Sequence, residues 1–382
     1  MAFVWPFCPL DGYRERLEWL TEVMTARAGQ QRIARRGAPR QQFEGRYALD
    51  APQYSRARAF MAGQYDQEVL LPVWPELERA GSLSAGAGSI AMDDTAVADY
   101  RPGGQALVWE SDALHEAVDL SAVGPTSLSL DGTLVNDYDA ALVMPLRRAW
   151  IMDEPKGSRE FAGYIEFAAE FEVIDNLDLA ASIGLPTYRG LDVLTDIPKL
   201  SAGLSDSVKI VCEDVDNDVG PRARLEWQRW LEQTCMLSWD FTDRAGVWRL
   251  REFLHRVRGR QKSFWIPTWN ADLAILSNIA PASTTVDVTP IGWPDHYDQV
   301  DILIRSTAGV DHYLRVDSAT TVGAVERLAL ETAAGFTLAA ADVALACFVL
   351  PMRLDADRIE IVHEAGGAAQ CRVPATTVPL PA

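Results

Sequence analysis

The residue types able to do chemistry are scattered along this chain, and few spacings bring them together. His115, His255, His296, His312 and His363 show no HExxH motif and no close pair that would hold a transition metal. No Gly-x-Ser-x-Gly elbow marks a serine nucleophile. Gly86-Ala87-Gly88 lacks the GK[ST] ending of a phosphate loop and the rest of a dinucleotide fingerprint, so it reads as a plain loop. Asp93 and Asp94, or Asp137 and Asp139, offer carboxyl pairs, but glycoside hydrolysis needs two carboxyls at a set separation in space, and acids in turns are usually solvated. The sharpest candidate is Asp214-Val215-Asp216-Asn217-Asp218-Val219-Gly220, where Asp214, Asp216 and Asp218 could converge on calcium. The EF-hand loop wants glycine sixth and glutamate twelfth. Here glycine is seventh and Glu226 thirteenth, so a solvated acidic turn is the favoured reading and calcium the weaker one. The expectation is a protein that is not an enzyme and carries no cofactor.

Charge gives a second constellation. With Lys+Arg 35 and Asp+Glu 54 the formal charge is −19, which disfavours general nucleic-acid binding. Only Lys156, Lys199, Lys209 and Lys262 are lysines, so the positive charge is nearly all arginine, the side chain suited to bidentate pairing. Two basic stretches stand out. One holds Arg27, Arg32, Arg35, Arg36, Arg40 and Arg46; the other holds Arg244, Arg249, Arg251, Arg256, Arg258, Arg260 and Lys262. They can be solvated faces, contacts with an acidic surface of a neighbouring copy, or, against the global field, nucleic-acid contacts. The 12 tryptophans fall partly in clusters, Trp265, Trp269 and Trp293 in one and Trp227, Trp230, Trp239 and Trp248 in another. Most should be core, with an interface or a sugar platform as the functional alternatives.

These residues must be positioned by elements, and the chain carries an internal echo. Leu71-Pro72-Val73-Trp74 is echoed by Ile266-Pro267-Thr268-Trp269, the stretch from Arg56 to Met61 by that from Arg249 to Leu254, and Val143-Met144-Pro145-Leu146-Arg147 by Val349-Leu350-Pro351-Met352-Arg353. Each offset lies near half the chain. The expectation is two similar modules, 1–184 and 185–382, linked near Ile183-Gly184-Leu185-Pro186.

In the second half, Val247, Leu250, Leu254 and Val257 predict an amphipathic helix over 242–258, capped by Thr242 or Asp243 and ended by Gly259. A strand through Ser263 to Ile266 should follow. In the first half Asp50 and Pro52 open a helix that Gly63 closes, and a strand over Glu68 to Leu71 comes next. Proline closes both strands and marks a strand end or an edge. The alternation Ile165, Phe167, Ala169, Phe171, Val173 predicts a strand, as do Val300 to Ile304 and Tyr313 to Val316. Asp131-Gly132 predicts a hairpin between 127–130 and 133–135. Ser82 to Ser89 reads as a loop, and Arg372 to Ala382 as a strand end or an arm. The fold class is mainly β with a few short helices (α+β): two tandem β-sandwich or barrel modules.

Cys8, Cys212, Cys235, Cys347 and Cys371 form no CxxC pair, and they predict reduced, buried thiols. No run of about 18 apolar residues and no signal-like start is present, so neither membrane insertion nor secretion is expected.

The arginine-rich segment Gln31 to Arg40, the helix after it and the strand ending Leu71-Pro72-Val73-Trp74 resemble structural tail proteins of long-tailed bacteriophages, in particular distal tail and baseplate-hub components. Gly259 to Trp269 is similar. The resemblance covers about a third of the chain and carries no catalytic signature. It implies β-rich modules in a ring of three or six copies at the tip of the tail tube. The ring would touch the tail tube protein and hub or tail-fibre proteins and let DNA pass without specific binding. Localisation would be the virion tail, after assembly in the host cytoplasm. Arg32, Arg35, Arg36, Arg40, Arg256, Arg258, Arg260, Trp74 and Trp269 are the expected subunit contacts. A carbohydrate-binding tail module contacting the host surface is the alternative.

Overall fold

The computed structural model describes residues 3–26, 29–64, 67–152, 155–161, 163–179, 184–199, 206–209, 212–226, 232–296 and 300–379. The architecture is mainly β, in large antiparallel sheets with two long helices. The first half contributes β1 (Tyr13–Glu18), β2 (Arg40–Leu49), α1 (Ala51–Gln64), β3 (Val69–Pro72), β4 (Ser89–Ala91) and β5 (Gln105–Trp109). It continues with β6 (His115–Gly124), β7 (Ser127–Leu130), β8 (Tyr138–Ile151), β9 (Lys156–Phe161) and β10 (Tyr164–Val173). The second half contributes β11 (Asp206–Lys209), β12 (Glu232–Phe241), α2 (Arg244–Val257), β13 (Ser263–Pro267), β14 (Thr285–Val288) and β15 (Val300–Ser306). It ends with β16 (Asp311–Val322), β17 (Val325–Leu330), β18 (Val343–Leu354), β19 (Arg358–His363) and β20 (Ala369–Thr377).

Local chemistry explains why these elements form. Asp50 and Asp243 each stand one residue before a helix of 14 residues. Each accepts from the backbone N–H three residues on, Gln53 at 2.7 Å and Gly246 at 2.7 Å. A side-chain acceptor there satisfies an orphan helix donor. In α2 the residues at helical spacing, Val247, Leu250, Leu254 and Val257, are buried, as their periodicity requires. Arg258 ends α2 in the left-handed region and Gly259 follows at φ +60°. A Cβ on Gly259 would sit 2.5 Å from Asp357 Oδ1, so glycine is required twice over. β10 alternates strictly, with Ile165, Phe167, Ala169, Phe171 and Val173 all buried.

The two halves share one order of pairing. In the first, β2 lies between β1 and β10; β10 pairs with β9 and β8; β8 with β3 and β5; then β5–β6, β6–β7 and β7–β4 complete the set. In the second, β12 lies between β11 and β20; β20 pairs with β19 and β18; β18 with β13 and β15; then β15–β16, β16–β17 and β17–β14 follow. All are antiparallel. Between the first two strands each half projects a hairpin, Thr21–Ala26 with Gly29–Ala34 and Cys212–Val215 with Ala223–Glu226. A parallel contact recurs too. Val4 pairs with Leu70 and Trp5 N donates to Leu70 O, while Val193 bridges Trp265 and Leu194 N donates to Trp265 O.

Two expectations need correction. The Asp131-Gly132 hairpin is not formed: β7 turns back on β6 through Pro125 and Thr126, with Gly124 opposite Ser127. Residues 133–135 are not a strand, because Leu134 exchanges backbone bonds with the loop at Gly86 and Ala87. The third sequence echo is out of register. Pro72 opposes Leu146 and Pro267 opposes Val349, so Pro145 corresponds in place to Phe348, three residues before Pro351. The prolines do end their strands, and Arg372 to Thr377 belongs to β20.

Candidate inter-module interface

β1 is where the halves meet. On one side it pairs with β2 of its own half; on the other it pairs with β19 of the second half, from Tyr13↔His363 to Glu18↔Arg358. Its inward residues, Tyr13, Glu15 and Leu17, divide between environments. Tyr13 packs into the first half's core with Phe43, while Leu17 and the following Trp19 pack into the second half's core with Leu250, Leu254 and Val257.

Glu15 sits between these two cores with no exposure. Arg251 of α2 donates to Glu15 Oε2 at 2.8 Å, the His363 ring nitrogen lies 2.9 Å from the same oxygen, and Gln41 donates to Oε1 at 2.7 Å. Arg251 also pairs with Glu76, which in turn accepts from Asp99 N at 2.6 Å. Asp99 takes two more arginines, Arg101 at 2.6 Å and buried Arg147 at 3.1 Å. Arg244, the first residue of α2, donates to Glu78 at 2.8 Å and to the carbonyls of Glu76 and Leu77. The seam is a chain of acids and arginines drawn from both halves, its Glu76–Asp99 link made through a backbone N–H. Burial pushes the Glu15 carboxyl up, but the Arg251 guanidinium and His363 outweigh it and hold it well below the usual carboxylate range. Asp99 follows the same logic: burial raises it, and Arg147 and Arg101 pull it down. Arg251 is held above its usual value, since both glutamates overcome its desolvation.

Three of the seven expected contact arginines, Arg32, Arg258 and Arg260, fall on this seam. Arg32 donates to Ser263 Oγ of the second half at 2.8 Å. Arg258 pairs with Asp178, and Arg260 binds Asp357 and the Thr21 carbonyl. Asp357 in turn accepts from Thr21 N at 2.7 Å. Arg36 binds Glu18 at 2.9 Å and Arg256 binds Asp192 at 2.8 Å, each within its own half. Arg35 pairs with Glu22 and Arg40 lies 4.0 Å from Glu172, both at the exposed surface. Arg27 lies outside the described residues. Trp74 and Trp269 are buried, Trp74 against Trp109 and Trp269 under the Arg305 guanidinium. Their rings therefore serve their own modules. Trp5, Trp19, Trp239, Trp265 and Trp293 are core as well, and Trp150 is exposed. Trp227 and Trp230 lie outside the described residues.

The calcium candidate resolves into ion pairs. Asp214 and Asp216 lie at one end of the Cys212–Glu226 hairpin and are engaged by Arg224 at 2.8 Å and Arg222 at 2.6 Å, and Asp218 N donates to Asp216. Both carboxylates thus already face a positive charge. No group of three or more metal-ligating side chains occurs among the described residues. Addition of EDTA is expected to leave the melting temperature unchanged; a fall would restore the calcium reading. Three thiols are buried, whereas Cys8 is exposed and Cys212 is partly so.

His255 adds a pH dependence to the seam. It lies on α2 against Trp19, accepts from Leu179 N at 3.2 Å, and burial, helped by Arg251, pushes it down to about 4. Above its ordinary value near 6.5 it is neutral whether folded or unfolded. Below that value the unfolded chain takes up a proton that the folded chain refuses, so stability falls as pH falls. Between pH 8 and pH 5 this one group should remove about 2 kcal/mol. Urea unfolding across that range reads the slope, and His255→Gln should flatten it.

Sequence reasoning missed Glu15, Glu76, Asp99 and Arg251 as a group. The open spaces at the seam, one near Glu76, Arg244 and Trp248 and one near Asp99, Arg101 and His255, are each about the size of one water molecule. A wider groove of about 470 Å³ lies between Ile197, Lys199, Trp239, Phe241 and Arg249. None of the described helices is long and apolar enough to cross a membrane. Compared with protein-family models and with curated proteins, the sequence matches none.

Proposed function

We propose that this chain is a non-enzymatic structural component of a bacteriophage tail tip, a distal tail or baseplate ring element. In this role it connects the tail tube to the host-recognition apparatus and lines the DNA channel. The observation that carries the reading is β1, an edge strand of one unit built into the sheet of the next, in a chain whose two units repeat one order of pairing. Two copies of one domain joined side by side are the natural parts of a ring. Three copies of the chain would present six modules, and six copies twelve. The charge of −19 supports a channel wall that does not trap a passing polyanion. The arginines, held in ion pairs along the seam, support a role in joining modules.

Negative-stain images of the purified 42.1 kDa chain, with native mass, should show closed rings of whole copies. Gold labelling of intact particles should mark the tail tip. A particle that lacks the chain, or an assembled ring with a basic lumen, overturns the reading.

A further inference from the structure

One joint in the chain has no counterpart. β1 pairs outward with β19, yet the strands at the corresponding places, β11 and β9, do not pair with each other. Each is hydrogen-bonded along one side only among the described residues, β11 to β12 and β9 to β10. We propose that β11 of one copy pairs with β9 of the next, repeating between chains the β1–β19 joint that links the halves within a chain. The partner is thus a second copy of this chain, met head to tail.

The ladders fix the register. Glu15 opposes Phe43, which opposes Phe171; Asp206 opposes Cys235, which opposes Ala375. Phe171 and Ala375 correspond because Ile151 and Leu354, three residues beyond Arg148 and Pro351, oppose them. Asp206 therefore holds the place of Glu15, Ser207 that of Arg16 and Val208 that of Leu17. On the other strand, Ile361 opposes Cys371 and Gly157 opposes Phe167, each four residues before the matched pair, so Gly157 holds the place of Ile361, Lys156 that of Glu360 and Arg159 that of His363. The proposed ladder then sets Asp206 opposite Gly157 and Ser207 opposite Lys156.

The side chains around this edge agree. Arg251 is the eighth residue of α2 and Arg58 the eighth of α1. Within the chain, Glu15 meets Arg251 and His363. At the open edge the corresponding residues are Arg58 and Arg159, both basic, both exposed, and set against the Tyr54 ring at 6.0 and 5.4 Å. Neither has a carboxylate partner among the described residues, whereas most arginines of this chain do. They stand where Arg251 and His363 stand around Glu15, and the residue that the register brings to Glu15's place is an aspartate, Asp206. Val208 is 58% exposed, although its counterpart Leu17, opposite Ile359 of β19, is 1% exposed. The joint would cover it with Pro155. A strand edge left open is a template for pairing, and the geometry of this one is already used once.

The proposal deepens the reading of a self-assembling ring element and rests on it; two measurements on the full chain separate the two. In a Cys8→Ser, Cys212→Ser background, Ser207→Cys with Lys156→Cys should form disulfides between chains on oxidation, while either cysteine alone should not. Arg58→Glu should weaken association tenfold or more and leave the melting temperature unchanged, because Arg58 is exposed, and Asp206→Arg in the same chain should restore it. Cross-linking through a single cysteine would mean a symmetric contact and overturn the proposal. Rings that assemble without the double-cysteine cross-link, and ignore Arg58→Glu, overturn these edges while sparing the ring reading. An endless cross-linked ladder upholds the edges and counts against a closed ring.

Discussion

Replacing Arg251 by methionine should destabilise the chain by about 3–5 kcal/mol, read by urea unfolding near neutral pH. The side chain is buried and holds two buried glutamates, Glu15 and Glu76, from the other half of the sequence. Methionine fills much of its volume but leaves both carboxylates beside a neutral group, out of reach of water. The penalty is chiefly that of two uncompensated charges, not of two lost bonds. His363 remains beside Glu15 and limits the damage there; Glu76 keeps the Asp99 N–H. The contrast is Arg35→Ala. Its pair with Glu22 is exposed on both sides, so its loss should cost under about 1 kcal/mol. Adding Glu15→Gln to Arg251→Met should recover part of the loss, since the two residues share one interaction. Equal costs for Arg251→Met and Arg35→Ala would mean that the ion-pair chain does not hold the seam.

The difference between those two arginines was not legible in the sequence. Both belong to basic stretches, and composition treats them alike. Arg251 and Glu15 are 236 residues apart, and no periodicity links them. What the sequence carries well is local. The 3.6-residue spacing in α2, the alternation of β10 and the Asp243 cap each act over a few residues, and each is realised. Asp131-Gly132 shows how a local signal fails: a strong turn dipeptide yields when Pro125 and Thr126, a few residues earlier, already turn the chain and the next segment finds partners at Gly86 and Ala87. Trp74 and Trp269, expected at a contact between copies, are buried instead because each packs in a core of its own half, Trp74 with Leu107 and Leu146 and Trp269 with Trp265 and Leu303. The echo of the two halves was visible at those motifs but weak elsewhere, because a shared pairing order constrains which strands neighbour one another and leaves most side chains free. Glu15 and Asp206 occupy one place in that order, and Arg58 and Arg251 another, without any motif to announce them.

Trp19→Ala should cost about 3–5 kcal/mol and, more tellingly, should change the number of unfolding steps. Trp19 is 2% exposed, belongs by sequence to the first half, and packs in the second half's core against the His255 ring. Leu17, beside it in that core, is covered equally well. Together they make the second half's core incomplete without the first half's strand. A core shared in this way couples the halves, so the intact chain should unfold as one unit despite a length at which separate domains are common. Removing the indole leaves a cavity at the point of coupling, while each half retains most of its own apolar cluster. Calorimetry should then resolve two transitions where the parent shows one. Trp74→Ala, a truncation of like size inside the first half alone, should lower stability by a similar amount and keep the halves coupled. If both variants leave a single transition, the halves are joined by the ion pairs and the β1–β19 ladder more than by the shared core.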